Sequence, residues 1–236
     1  MQDQELTQQI AGIAALDEPV RRDLYRYVVG RPHPVGRDEA AAAVGISRSL
    51  AAFHLDRLVE EDLLQTEFRR LSDRRGPGAG RPAKLYLRSS RQVEISLPPR
   101  SYELAARLFA RTLDTLDDLA AIAELGEVAH EFGADVAART LAASGQPPAP
   151  EARMRQAEDA LAAAGYEPWM DDGGVIRLRN CPFHALAEEH RRLVCGMNLH
   201  LLEGVVEGLR LAGTEAILDP RPGLCCVALR PVQSRA

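Results

Sequence analysis

Between Glu39 and Leu64 the chain runs through four alanines, a glycine, a serine and a second helical pattern, and this order constrains the fold more than any other feature. Ahead of it, Leu16, Val20, Leu24 and Tyr27 recur at helical spacing and predict a helix over about 17–29, which Gly30 to Pro34 interrupts. A short helix is expected over about 37–44. Gly45 then supplies a tight turn that tolerates a left-handed backbone, and Ser47 is the expected N-cap of a third helix over about 48–61. Gln65–Arg70 and Ala83–Arg88 read as strands, the second alternating through Leu85 and Leu87, with a Gly/Pro/Arg loop between them.

Three helices followed by a β-hairpin is the order of a winged helix-turn-helix. The helix that precedes Gly45 is built of alanine, which lets two helices cross closely. On the third helix Ala51, Leu55 and Leu58 fall on one side and are expected to face the core. Arg48, Ser49, Ala52 and Phe53 fall towards the other, where small and polar side chains suit the major groove of duplex DNA.

Charge supports the same reading locally and opposes it globally. The chain of 236 residues has a formal net charge of −5, which argues against a generally basic nucleic-acid binder. Residues 1–100 are nevertheless net +2 and residues 101–236 net −7. The segment Arg69–Arg91 sets eight basic residues against Asp73 alone. Salt screens distant charges, so a local basic stripe is what a phosphate backbone meets. Ser47, Arg48, Ser49, Phe53, His54 and Arg57 on the helix, with Arg74, Arg75, Arg81 and Lys84 on the hairpin, form the expected DNA-binding set. A generic helical hairpin with solvated arginines is the plainer alternative, and His54 serves equally well as a packing residue. Gly45–Leu64 followed by Gly80–Ser90 (GRPAKLYLRS) resembles the winged-helix repressors of the ArsR/SmtB type, in which a histidine often stands where His54 does.

Residues 100–143 are almost continuously helical in pattern, and Leu104, Leu108, Leu113, Leu116, Leu119, Ile122 and Leu125 form an apolar stripe. A regulator that reads a two-fold DNA site needs a second subunit, so this stripe is assigned to homodimerisation. Ser144–Pro150 reads as a linker. Beyond it, a helix over 154–164, strands near 166–170 and 175–180, a long helix over 185–211 and strands at 215–218 and 225–229 alternate as a small ligand-sensor module. Asp171 to Gly174 reads as a turn more readily than as a cation site. The expected architecture is α+β: a DNA-binding domain over 1–97, a helical dimerisation region over 98–143 and a sensor domain over 151–236.

The four cysteines, Cys181, Cys195, Cys225 and Cys226, all lie in the last quarter of the chain. With no run of 18 apolar residues and a polar N-terminus that lacks a signal pattern, the expected location is the cytoplasm and no membrane is involved. There a disulfide framework is disfavoured. Three thiolates from three elements and a fourth ligand suit zinc or an iron–sulfur cluster, and long irregular spacings favour the cluster over a zinc ribbon. Cys225 and Cys226 are expected to begin the last strand and hence to point to opposite faces. His184, His190 and His200 are further ligand candidates. Free cysteine also packs well in a core, so four buried thiols need bind nothing.

The pattern NCPFH, Cys195, DPRPG and CCV behind a winged helix resembles the SufR-type iron–sulfur-responsive repressors, over nearly the whole chain. The resemblance implies that Cys181, Cys195 and one of Cys225/Cys226 hold a cluster, and that the loaded dimer binds operator DNA and represses iron–sulfur assembly genes. Two other readings stay open. One is a regulator of the same build that senses an organic ligand near Trp169 and Met170, with structural cysteines. The other is an enzyme using Cys181 as nucleophile beside His184, for which no oxyanion donor or orienting acid is recognisable. No phosphate-binding glycine loop, HExxH or GxSxG occurs.

Overall fold

The structure is a computed structural model that describes residues 2–70, 82–94, 102–144 and 150–232. It is α+β, with two small antiparallel sheets. The chain divides into two compact units, Met1–Arg100 and Ser101–Ala236.

The first unit opens with α1 (Gln2–Ala15) and α2 (Pro19–Val29). Helix α1 was not expected from the sequence, although Leu6, Ile10 and Ile13 have helical spacing. Helix α2 starts where Pro19 presets the first turn and the Glu18 carboxylate accepts from the amides of Val20 at 3.3 Å and Arg21 at 2.6 Å. β1 (Val35–Gly36) leads into α3 (Arg37–Val44), which ends at Gly45 in the left-handed region (φ 74°). α4 (Arg48–Glu60) follows, and the hairpin β2 (Leu64–Arg69) and β3 (Ala83–Arg88) closes the unit. The sheet runs β1-β3-β2, with Val35 opposite Tyr86 and Leu64 opposite Arg88. Leu24 of α2, Ala40 of α3, Ala51, Leu55 and Leu58 of α4 and Tyr86 of β3 are fully buried together. The expected inward face of α4 is therefore the observed one.

The second unit comprises α5 (Tyr102–Leu116), α6 (Leu119–Ser144), α7 (Pro150–Ala163), β4 (Pro168–Met170), β5 (Ile176–Leu178), α8 (His184–Glu189), α9 (Arg191–Gly208), β6 (Thr214–Leu218) and β7 (Val227–Pro231). The sheet order is β4-β5-β7-β6, antiparallel throughout. Helix α6 packs along α9, and Ala137 of α6 shares one core with Leu202 and Val205 of α9, Leu161 of α7 and Ile176 of β5. The Asp171 carboxylate accepts from the amides of Gly173 and Val175, each at 3.0 Å, so the Asp-Asp-Gly-Gly stretch is a hairpin turn. Buried Arg177 is held between Asp171 at 3.0 Å and Asp219 at 2.8 Å.

Two expectations are corrected here. The long helix over 185–211 is two helices broken at His190, whose backbone leaves the helical region (φ −125°, ψ 47°). Helical periodicity does not register a break at a single residue when helix resumes immediately on its far side. Cys225 and Cys226 precede β7 instead of beginning it, because strand pairing starts at Val227 opposite Leu218. Strand alternation therefore does not part them.

Candidate nucleic-acid interface and cysteine centre

The α3–α4 pair derives its geometry from local chemistry. Gly45 takes a backbone that costs other residues about 1–2 kcal/mol, and the amide of Ile46 donates back to Ala41 at 3.0 Å. Ser47 is extended (φ −69°, ψ 149°), and its Oγ accepts from the amide of Leu50 at 3.3 Å. That oxygen also lies 3.1 Å from Ser49 Oγ. Ser47 is thus engaged as the helix cap. Replacing it by alanine is expected to lower the stability of the first unit by about 1 kcal/mol, read as an earlier urea midpoint at unchanged slope.

The outward face of α4 carries Ser49, Leu50 and Phe53, with Phe53 66% exposed. Arg48 is exposed and pairs with Asp38 at 2.6 Å, a surface contact that solvent weakens. Arg57 sits between Glu60 at 3.0 Å and Glu61 at 2.5 Å, so its charge is answered within its own helix and cap. His54 points inward: it is 8% exposed, and its Nδ1 lies 3.7 Å from Glu18 across α2. It stands next to the core residue Leu55 in the chain, and its inward rotation removes it from the surface that a base edge would meet.

Lys84 is tied down as well. Its ammonium donates to Asp56 at 2.7 Å, and Asp56 also accepts from Tyr86 Oη at 2.5 Å and from Arg37 at 3.0 Å. Burial alone would raise the Asp56 carboxyl, but Lys84, Tyr86 and Arg37 together hold it below its ordinary value. Burial and the hydrogen bond to Asp56 push the Tyr86 phenol up to about 12. Sequence spacing carried no signal for this knot, because its members are up to 49 residues apart. Arg74, Arg75 and Arg81 lie outside the described residues; the flanks that carry them, β2 and β3, are paired from Leu64↔Arg88 to Arg69↔Ala83.

In the second unit the cysteines are carried by three separate segments. Cys181 follows β5, Cys195 is in the second turn of α9, and Cys225 and Cys226 precede β7. All four are free thiols; Cys195 and Cys225 are buried, while Cys181 and Cys226 are partly exposed. Cys181 is near enough to Cys225, and Cys195 to Cys226, for the two thiols to influence each other's ionisation. The Asn198 amide also donates to Cys225 Sγ at 3.3 Å, and Tyr166 Oη donates to Asn198 Oδ1.

The hydrogen bond from Cys181 lowers the Cys225 thiol to about 7 against burial, helped by the amide of Val227 and by Asn198. Cys181, as donor to Cys225 and part-buried, is pushed up. Burial, with donation to Cys226, pushes Cys195 up to about 12. Of Cys181, Cys195 and Cys225, the last is the one whose ionisation is favoured.

The donor chemistry fits soft metals, since every sulfur is free and Cys225 is already inclined to ionise. Among the described residues no three His, Cys, Asp or Glu side chains gather closely enough to hold a single metal ion. The histidines take other partners: His184 faces Glu188 at 3.3 Å, His200 faces Glu203 at 2.8 Å, and His190 bonds to Asp114 of α5. Trp169 is covered by the guanidinium of Arg179 at 5.1 Å, and Met170 is 44% exposed.

Comparison with protein-family models, curated proteins and solved structures returned no match to this chain. Among the described residues no helix is long and apolar enough to cross a membrane.

Proposed function

We propose that this chain is a homodimeric, DNA-binding transcriptional regulator, a winged helix-turn-helix protein whose C-terminal cysteines hold an iron–sulfur cluster that controls its affinity for duplex DNA. One observation carries the reading: a serine-capped helix with an exposed Ser49/Phe53 face follows a left-handed glycine turn and stands beside an antiparallel hairpin. The segment Arg69–Arg91, which includes β3, is the most basic stretch of the sequence. Arg48 is the helix residue best placed to exchange its surface carboxylate for phosphate, while Arg74, Arg75 and Arg81 supply sequence-independent grip. His54, Arg57 and Lys84 act within the domain, through the contacts described above.

Dimerisation is supported by the apolar side chains that one chain leaves exposed. On α5, Leu104, Leu108, Phe109 and Leu116 are each more than half exposed, as is Leu119 at the start of α6. Burying such a surface against a second copy removes it from water.

The cluster reading rests on four free thiols within the second unit and on the family resemblance of the motifs around them. Cys181, Cys195, Cys225 and Cys226 are the candidate ligands, with zinc as the alternative occupant. When bound, the group would add iron–thiolate bonds linking the β5 end, α9 and the β7 start. In the chain itself, Asn198 and Tyr166 orient Cys225, and α8 carries the segment after Cys181 to the His190 break.

The test combines two measurements on protein purified without oxygen. Iron, sulfide and zinc analysis is expected to find iron and sulfide, and a protein with none of the three sinks the centre. Replacing Arg74, Arg75 and Arg81 by glutamine is expected to reduce the slope of log affinity against log salt by about one for each phosphate no longer neutralised. An unchanged slope and affinity would remove the DNA-binding assignment.

A further inference from the structure

Side chains that read base edges by hydrogen bonds are few in kind: arginine and lysine for guanine, asparagine and glutamine for adenine, aspartate and glutamate for cytosine. Helix α4 contains no lysine, asparagine or glutamine. Both of its arginines face carboxylates of their own unit, Arg48 at Asp38 and Arg57 at Glu60 and Glu61. Asp56 is the shared acceptor of Lys84, Tyr86 and Arg37, and His54 is buried. What the helix turns outward is apolar instead. Leu50 and Phe53 are exposed, and their three-residue spacing puts them on one side of the helix.

The two ends of α4 differ in charge. Glu60, Glu61 and Asp62 gather at its C-terminal end and repel phosphate, whereas its first turn holds no acid. The half that a duplex admits is therefore the half that carries Leu50 and Phe53. The Phe53 ring is also supported before any partner arrives. It stands edge-on to the His54 ring, with centroids 5.2 Å apart and planes at 70°. A side chain positioned in advance loses little freedom on binding. The same unit contains most of the Arg69–Arg91 segment, eight basic residues against one acid, so the partner that complements it is a polyanion. The DNA major groove admits a helix and displays an apolar group, the C5-methyl of thymine. The major groove of duplex RNA is too deep and narrow for side chains to read.

We propose that Phe53, with Leu50 beside it, is the specificity-determining contact of this protein and reads the C5-methyl group of thymine in the major groove. Sequence is then recognised by apolar contact, while the arginines supply affinity. This rests on the DNA-binding reading and adds what the helix recognises.

The experiment uses the full chain purified without oxygen. Binding sites are selected from a random duplex library, and each thymine of the selected site is replaced in turn by deoxyuridine, which lacks only the methyl group. Affinity is expected to fall about fourfold for each methyl that Phe53 covers, at one or two fixed places in a half-site. In Phe53→Ala the affinity for the thymine duplex is expected to fall by a similar factor, and the thymine-to-uracil difference at those places to vanish. Phe68→Ala, which removes an equally exposed ring from β2, is expected to keep the full difference. Salt-dependent binding with no methyl sensitivity at any thymine, or a sensitivity that persists unchanged in Phe53→Ala, would overturn the proposal and leave the DNA-binding reading standing. Unchanged DNA affinity in Phe53→Ala with an altered mass in sedimentation would make this face a contact between chains, and the proposal wrong. A chain with no salt-dependent affinity for any duplex would remove both.

Discussion

Gly204→Ala is expected to destabilise the second unit by about 3 kcal/mol. A Cβ at Gly204 would stand 2.0 Å from the backbone carbonyl oxygen of His130, and one at Gly133 would stand 1.9 Å from that of Leu201. These neighbours are backbone of the facing helix, so neither can swing aside as a side chain would. Helices α6 and α9 must move apart, and the core they share with α7 and β5 loosens with them. Gly196→Ala on the same helix is the matched control, because nothing lies within 4 Å of its added methyl. There alanine is expected to stabilise by about 0.5–1 kcal/mol through helix propensity alone. Urea unfolding of the three proteins, read at Trp169 of β4, separates the two effects. Equal midpoints for Gly204→Ala and Gly196→Ala would contradict the close crossing of α6 and α9.

Asp56→Ala is expected to cost the first unit about 2 kcal/mol. The carboxylate is the shared acceptor for Lys84, Tyr86 and Arg37, and so joins α4 to β3 and to the start of α3. Its removal leaves the phenol of fully buried Tyr86 with the Arg37 guanidinium as its partner, at 2.8 Å. The side chain is 40% exposed, and solvent screens part of the ionic contribution, which keeps the expected loss below that of a buried ion pair. The pH dependence has a definite sign. The folded-state pKa of Asp56 is lowered, so its contribution is present above the unfolded value near 4 and is lost as pH falls through the folded value. Acid should therefore narrow the gap between the parent and Asp56→Asn, and the two unfolding curves should approach each other at low pH. A gap that widens on acidification would show that Asp56 is not held as a carboxylate.

In the first unit the features legible in the sequence rest on contacts between near neighbours. Gly45 and Ser47 act within a few residues of themselves, and the hairpin strands alternate on their own account, so these elements could be placed to within a residue or so. The candidate DNA set was read from the same helix and hairpin, and three of its members have partners in the fold that the sequence did not show. His54 is buried against Glu18, Arg57 is answered by Glu60 and Glu61, and Lys84 is bound to Asp56. A residue type and its position on a helical wheel do not tell which distant chain segment arrives to meet it.

The same distinction governs the second unit. The sequence alone told that the cysteines gather in its last stretch and that α5 is amphipathic. The broken helix at His190 and the glycines at the α6–α9 crossing left no mark in the hydrophobic periodicity, since a missing side chain looks like a turn until another backbone is placed against it. Local backbone chemistry, charge density and thiol content are properties of neighbouring residues, and the sequence by itself determined them. Which carboxylate meets which cation, and which glycine stands at a helix crossing, depend on segments that come together only when the core closes, and only the tertiary structure decided them.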